Sequence, residues 1–353
     1  PLWLDQNIRH ALARSPLAGN KAQALAEELD YLGQNPRVHD NDLVAALQTA
    51  KGRSIVLPKT AAFAINTTAS LGVREALSAL PPESVSPRLA EVALFGRGHG
   101  GFMLVEGRNH NPTLCDMVSE LYATVSTDRL RHLLFDSKLG LREVQIGQGC
   151  GSLTMPMTDM RLSAMTAGLT EHLVEELQQP HDHGQIVIGT TEDNHTDTIW
   201  IRQTVAAFEV LPIESAKGWT LRISQRVLEM LHSEVAYHPR VETGGVLIGT
   251  CNSRLMVVTV VDLLPAPPDS IRSSTRFVLG TSRLQDMIME RHNASGGALF
   301  DVGTWHSHLD DQGPSPLDRQ TALELGAERP PPAVLLIATP RRYHALMHMG
   351  AKS

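Results

Sequence analysis

Two histidines and an aspartate lie close together near the carboxyl end of this 353-residue chain. His306 and His308 close an apolar run, and Asp318 comes ten residues after His308, near the start of a predicted helix. Alternate side chains of a strand point to the same face, so a His-x-His pair presents both imidazoles together. Two imidazoles and one carboxylate, with a fourth position open to water, form a typical catalytic zinc site.

A glutamate on a second apolar segment supplies the remaining chemistry. Glu242 precedes two glycines and a predicted strand over 245–249. A carboxylate that is not a ligand can take a proton from a metal-activated water and pass it to a leaving amine. The chain contains sixteen histidines, so a His-x-His pair alone is weak evidence. Its combination with Glu242 and with Ser315, three residues before Asp318, makes the pattern specific.

These residues occur as Glu242-Thr243-Gly244-Gly245, His306-Ser307-His308 and Ser315-Pro316-Leu317-Asp318. The segment 210–350 that contains them resembles the JAB/MPN (JAMM) metalloproteases, which hydrolyse peptide or isopeptide bonds after ubiquitin-like C termini. The resemblance implies that His306, His308 and Asp318 are zinc ligands. It also implies that Glu242 is the general acid and base, and that Ser315 steadies the oxyanion.

Two positions depart from the family pattern. Six residues separate His308 from Ser315, where seven are usual, and Leu309 stands where a proline is common. The shorter loop bears most on Ser315, because it displaces this residue more than it displaces the ligands. Two other interpretations stay open for this half of the chain, namely a non-catalytic scaffold and a metal that serves structure alone. Structural zinc usually takes a fourth protein ligand, which disfavours the latter.

Three short polar segments stand out in the N-terminal half. They are Asn7-Ile8-Arg9, Gly19-Asn20-Lys21-Ala22 and Asn66-Thr67-Thr68-Ala69-Ser70. As a series they resemble the adenylating fold of ThiF and ubiquitin-activating enzymes, in which such segments surround ATP. The resemblance implies that Arg9 and Lys21 hold phosphates and that Asn66 stands where the family has a magnesium-binding aspartate. The first two segments are one residue short, and an amide binds Mg²⁺ less well than a carboxylate does.

Glycine-rich segments and one cysteine complete this part. The family's nucleotide loop would precede Pro1, so we expect the sequence to be a piece of a longer protein. A G-x-G-x-x-G pattern begins at Gly96, but a strand pattern follows it, which predicts a hairpin turn. Cys150 precedes a predicted helix whose dipole would favour its thiolate. The resemblance implies a thioester with a ubiquitin-like protein there, and a small buried cysteine is the alternative.

Apolar periodicity predicts the elements that position these residues. Helices are predicted over 19–33, 73–80, 114–124, 127–136, 158–178, 224–235, 282–291 and 316–326. Strands are predicted over 54–57, 61–65, 91–95, 102–106, 186–189, 245–249, 255–263, 301–306, 334–338 and 343–347.

The predicted fold class is α/β. It consists of an N-terminal Rossmann-like, ThiF-type layered sheet, incomplete at its N terminus, and a C-terminal α+β JAB/MPN domain of the cytidine-deaminase-like kind. We expect the first domain over 1–180, a polar linker over 181–209 and the metalloprotease domain over 210–353.

Composition narrows the classes of function. The net charge of −7 argues against a nucleic-acid partner. No apolar run approaches the ~20 residues of a membrane span. Three cysteines are too few for a disulfide framework, which favours a reducing, cytoplasmic setting.

The combined prediction is a bacterial-type fusion that acts in ubiquitin-like conjugation. Zn²⁺ is the expected cofactor, with ATP and Mg²⁺ in the full-length protein. The expected partners are the C-terminal tail of a ubiquitin-like protein, a ubiquitin-conjugating-type enzyme, and a second copy bound through the ThiF-like domain. Such fusions resemble components of antiphage conjugation systems. An activating enzyme with a regulatory cleavage domain, and sulfur-carrier processing, remain alternatives.

Overall fold

The computed structural model describes residues 21–39, 41–124, 128–135, 158–191, 197–329 and 331–348. It is a mixed α/β structure with several sheets, which confirms the predicted class. The chain divides into two compact units. One comprises Pro1–Met103, Ser137–Pro180 and Val187–Ile201, and the other comprises Leu104–Asp136, His181–Ile186 and Arg202–Ser353. Within the described ranges, no helix is long and apolar enough to cross a membrane.

A five-stranded sheet has the order β1-β2-β3-β4-β5. Its strands are β1 (Phe63–Asn66), β2 (Arg88–Phe95), β3 (Gly100–Val105), β4 (Gly184–Thr191) and β5 (Thr198–Val205). β1 and β2 are parallel, with Asn66 opposite Glu91. The helices of this part of the chain are α1 (Lys21–Tyr31), α2 (Leu43–Leu47), α3 (Ala50–Val56), α4 (Leu71–Ser78), α5 (Leu114–Thr124), α6 (Asp128–Phe135) and α7 (Asp159–Gln178).

Two sequence predictions differ from these elements. The run 54–57, predicted as a strand, lies largely within α3, whose first turn is capped by Thr49 through a bond from the Gly52 amide. A short apolar run cannot distinguish a strand from a helix, and the cap decides here. The segment 181–209, predicted as a linker, contains β4 and β5.

The C-terminal part of the chain forms a closed barrel in the order β12-β13-β14-β6-β7-β9-β8. The strands are β6 (Glu209–Glu214), β7 (Thr220–Ile223), β8 (Gly244–Asn252), β9 (Val257–Pro265), β12 (Phe300–Ser307), β13 (Val334–Ala338) and β14 (Tyr343–Met347). The barrel core is built mainly from aliphatic residues, and Trp305 is its largest fully buried side chain. Burial of this apolar surface stabilises the ring at about 25 cal/mol per Å².

Three helices and a short hairpin accompany the barrel in its described residues. They are α8 (Gln225–Tyr237), α9 (Leu284–Ala294), α10 (Pro316–Glu328) and the antiparallel pair β10 (Ile271–Arg272) and β11 (Phe277–Val278). Ser224 caps α8 by accepting a hydrogen bond from the Val227 amide. Below α10, Ile337 and Leu346 pack in a smaller apolar cluster with Ala322.

A charged cluster is buried where α5 begins. Glu106 binds the His110 ring and accepts a bond from the Leu114 amide, while Asp116 receives the Arg222 guanidinium. Burial strongly favours the protonated form of Glu106 and raises its pKa, and the charge of His110 opposes this. Burial alone would lower the pKa of His110, but its hydrogen bond to Glu106 raises it. Sequence patterns gave no indication of this cluster.

Candidate metal centre

The two motif strands are neighbours in the barrel. β12 and β8 are antiparallel, with His306 opposite Gly244 and Trp305 opposite Gly245. Beyond that register, the Ser307 amide donates to the Thr243 carbonyl at 2.7 Å, and the Thr243 amide donates to Ser307 Oγ at 3.0 Å. The residue between the two histidines is therefore bonded to the residue that follows Glu242.

The two glycines after Thr243 allow this close approach. A Cβ on Gly244 would lie 2.3 Å from the Trp305 carbonyl oxygen and 2.4 Å from the Phe277 ring. A Cβ on Gly245 would lie 2.2 Å from the Leu264 carbonyl oxygen. The contacts with the two carbonyl oxygens cannot be relieved without moving the backbone. Both positions therefore require glycine for packing.

The start of α10 brings the carboxylate to the histidines. Ser315 is the N-cap, Pro316 is the first helical residue, and Ser315 and Asp318 form a capping box. The Asp318 amide donates to Ser315 Oγ at 3.2 Å, and the Ser315 amide donates to Asp318 Oδ2 at 2.6 Å. A proline at this position is favourable because its fixed φ suits a helix start.

His306, His308 and Asp318 converge on one point. The two Nε2 atoms are 3.2 Å apart, His306 Nε2 is 3.1 Å from Asp318 Oδ1, and His308 Nε2 is 3.4 Å from Asp318 Oδ2. The three ligand atoms lie within 4.8 Å of one another, so this group could hold a metal ion. The histidines are half-buried and the aspartate is buried.

The second ring nitrogen of His308 supports this assignment. His308 Nδ1 lies 3.1 Å from the Gln312 carbonyl oxygen, so Nδ1–H is the donor. In the neutral ring the Nε2 atom therefore carries the lone pair that a metal would take. The hydrogen bond with Asp318 raises the pKa of His308. Burial alone would raise the pKa of Asp318, but bonds from both imidazoles and from Ser315 bring it well below its usual range. The aspartate is therefore ionised and fits a divalent cation.

Glu242 lies at the same site without joining the triad. Its amide donates to the Ser273 carbonyl at 2.8 Å, and the residue is only 9 % exposed. Burial raises the pKa of its carboxyl, against the charges of His306 and His308. A glutamate with a raised pKa is suited to accept and return a proton near neutral pH.

These side chains line one cleft of about 810 Å³. The β10–β11 hairpin contributes Arg276 and Phe277, and the loop after His308 contributes residues 309, 310 and 312–314. Asp311 fixes that loop by accepting bonds from Thr339 Oγ1 and the Arg341 amide. Ser315 lines the cleft despite the loop being one residue shorter than is usual in the family it resembles.

The other predicted site residues lie elsewhere. Arg9 and Cys150 fall outside the described residues, and Lys21 is described only as the first residue of α1. Asn66 ends β1 and is buried, with both ends of its amide engaged. Its Nδ2 donates to Glu91 at 2.9 Å, and its Oδ1 accepts from the amide and hydroxyl of Thr68. Arg74 completes this group by pairing with Glu91.

Sequence reasoning did not give a role to three residues behind the site. Thr243 Oγ1 donates to Glu234 Oε1 at 3.1 Å and accepts from Arg272 Nε at 3.2 Å. Thr243 lies inside the Glu-x-Gly-Gly segment, so the motif itself was the available signal. No pattern could indicate Glu234 and Arg272, because they are brought there by α8 and β10.

Comparison with known proteins gives one relevant similarity. No protein-family model matches the chain. Over 90 residues the chain is 31% identical to a protein of Enterobacter hormaechei subsp. hoffmannii (strain UCI 50) named CD-NTase/cGAS isopeptidase. The match covers 26% of this chain and 48% of that protein, so the chain spans about half the length of the relative. The similarity indicates an isopeptidase-like domain.

Proposed function

We propose that the C-terminal half is a zinc-dependent isopeptidase that cleaves after the C-terminal glycine of a ubiquitin-like protein. The convergence of His306, His308 and Asp318 in a cleft also lined by Glu242 carries this proposal. The name of the partly similar relative supports the reaction class. A role in a bacterial antiviral conjugation pathway is consistent with that name and belongs to the same proposal.

The residues would divide the reaction as follows. A bound zinc ion would supply Lewis acidity for the water and the scissile carbonyl. A Glu242 carboxylate oxygen takes a proton from the water while the water oxygen bonds to the carbonyl carbon. Glu242 then delivers that proton to the leaving amine nitrogen as the C–N bond breaks. Ser315 Oγ is the candidate donor to the carbonyl oxygen, and in the structure it accepts a bond from the Asp318 amide.

We propose further that the N-terminal half is a ThiF-like adenylating domain, and that it dimerises with the same domain of a second chain. Parallel pairing of β1 with β2 and the start of α4 after Asn66 are compatible with it. ATP binding by Arg9 and Lys21 and a thioester at Cys150 remain predictions. Asn66, whose amide is fully engaged by Glu91 and Thr68, suits packing better than Mg²⁺ binding.

Metal content and cleavage test the proposal together. Purified chain should contain about one zinc per chain. It should release the amine from glycine-terminated β-grasp proteins joined to an aminomethylcoumarin reporter or to a lysine side chain. Glu242→Gln should keep the metal and lose about 10²- to 10⁴-fold in kcat, whereas Glu229→Gln, on the exposed face of α8, should match the unmodified chain. Full activity of Glu242→Gln would overturn the mechanism.

A further inference from the structure

The strongest unassigned feature is the side-chain group behind the candidate base. Thr243 is fully buried, and its hydroxyl has one donor and one acceptor. Arg272 Nε–H donates to Thr243 Oγ1, and Thr243 Oγ1–H donates to Glu234 Oε1. The chain of bonds has a single direction, so the hydroxyl is held in one orientation.

The backbone of Thr243 is fixed as well. Its amide and carbonyl both bond to Ser307, which lies between the two candidate histidine ligands. The neighbouring amide of Glu242 bonds to the Ser273 carbonyl, beside Arg272 in the hairpin. Thr243 thus connects the candidate base on one side to the candidate ligands on the other.

The two partners of Thr243 are themselves paired. Arg272 Nη2 lies 3.9 Å from Glu234 Oε1, and His238 Nε2 lies 3.3 Å from the same oxygen. The side chains of Arg272 and Glu234 are only 20 % and 22 % exposed. A partly buried group with several partners holds its geometry better than an exposed pair does.

We propose that Arg272 and Glu234 are positioning residues, which act through Thr243 to hold Glu242 at the reactive position relative to His306 and His308. They need not touch the substrate. The inference rests on the proposed function for its effect on rate, whereas its effect on local backbone order is independent of that function.

The test compares variants that differ at the Thr243 hydroxyl. Thr243→Val removes the hydroxyl with little change in volume, and Thr243→Ser keeps it. On a fluorogenic diglycine-terminated tail peptide, Thr243→Val and Arg272→Ala should lower kcat roughly 10- to 100-fold with KM changed less than about twofold. Thr243→Ser and Arg272→Lys should recover most of the loss. Arg291→Ala, which breaks the Arg291–Asp262 ion pair of the same unit, should leave kcat unchanged.

Hydrogen exchange on the same variants supplies a readout besides activity. Exchange in peptides covering 240–245 and 305–309 should rise in Thr243→Val and Arg272→Ala but not in Arg291→Ala. In the double variant Arg272→Ala/Glu234→Gln, the loss in activation free energy calculated from kcat should be smaller than the sum of the losses in the two single variants. Both residues act through the same hydroxyl. Unchanged exchange at these peptides, or equal kcat for Thr243→Val and Thr243→Ser, would overturn the proposal. An inactive parent chain with the expected exchange pattern would contradict the isopeptidase function and leave the positioning role standing.

Discussion

Ser315 and Asp318 hold each other through reciprocal hydrogen bonds across the first turn of α10. The serine that the sequence pattern suggests as an oxyanion donor is therefore the residue that orients a candidate ligand. Helix capping and ligand placement are the same interaction in this structure.

Replacing Ser315 separates these roles. We expect Ser315→Ala to lower the free energy of unfolding by about 1 kcal/mol, because the helix cap is removed. Zinc affinity should fall about tenfold, because Asp318 is no longer held in its orientation. Ser224→Ala, which removes a similar cap from α8, should lose stability alone. Urea unfolding and zinc-chelator competition measure the two effects. Unchanged zinc affinity together with a large loss in kcat would make oxyanion donation the role of Ser315.

Zinc affinity should fall in acid. The bond with Asp318 raises the pKa of His308, and a proton on Nε2 excludes the metal. Affinity is therefore full above that raised pKa and declines as the pH falls through it. Competition with a fluorescent chelator between pH 8 and pH 5.5 measures the decline. Asp318→Asn should bind zinc more weakly at every pH, and a pH-independent affinity in the unmodified chain would contradict the assignment of His308.

Asn66 provides a test of the predicted magnesium position. Asn66→Asp places a carboxylate where an amide now donates to Glu91, and both sites are at most 4 % exposed. We expect a loss of about 2 kcal/mol, because a buried hydrogen bond is replaced by repulsion. Asn293→Asp, on the exposed surface of α9, is the matched control.

Magnesium decides how this result is interpreted. If Asn66 serves packing, the melting temperature of Asn66→Asp should be no higher with about 10 mM Mg²⁺ than with a metal chelator. A specific rise in melting temperature with Mg²⁺ would instead identify this position as a metal site of the adenylating type.

The buried pair of His110 and Glu106 predicts a pH dependence of stability. The pKa of His110 is raised in the folded chain, so its stabilising effect is complete below the unfolded value of ~6.5 and is lost as the pH rises through the folded value. Asp116 adds to this shift and Arg222 opposes it. The difference in unfolding free energy between the unmodified chain and His110→Asn should shrink from pH 6 to pH 9. Urea titrations at both pH values measure it, and a growing difference would reverse the predicted sign.

Local patterns predicted some elements to the residue and missed others. The helix over 114–124 and the strands over 334–338 and 343–347 coincide with α5, β13 and β14, because each has a continuous apolar face of its own. β6 and β7 were not predicted, although they pair with each other as a local hairpin. β6 contains a proline, which argues against a strand, and β7 has only 4 residues, too few to show a period.

The candidate site shows the same division. His306, His308, Asp318 and Glu242 could be proposed from residue type and spacing, since each lies in a short motif. Arg272 and Glu234 could not, because only the folded barrel places them beside Thr243. Asn66 was proposed because its segment follows two others that resemble the adenylating fold. The structure places its amide against Glu91, which that resemblance did not suggest.

In a closed barrel every strand is hydrogen-bonded on both sides, so removing any strand leaves backbone groups of its neighbours unpaired. β6 and β7 lie between residues 209 and 223 and join β14 to β9. A shortened chain beginning after Ile223 would keep every candidate ligand yet leave two rows of backbone donors and acceptors without partners. Such rows attract strands of other molecules, so this shortened chain should aggregate. Backbone pairing therefore requires a fragment to begin no later than residue 209, well upstream of the first motif residue. The buried pair of Asp116 with Arg222 requires α5 as well.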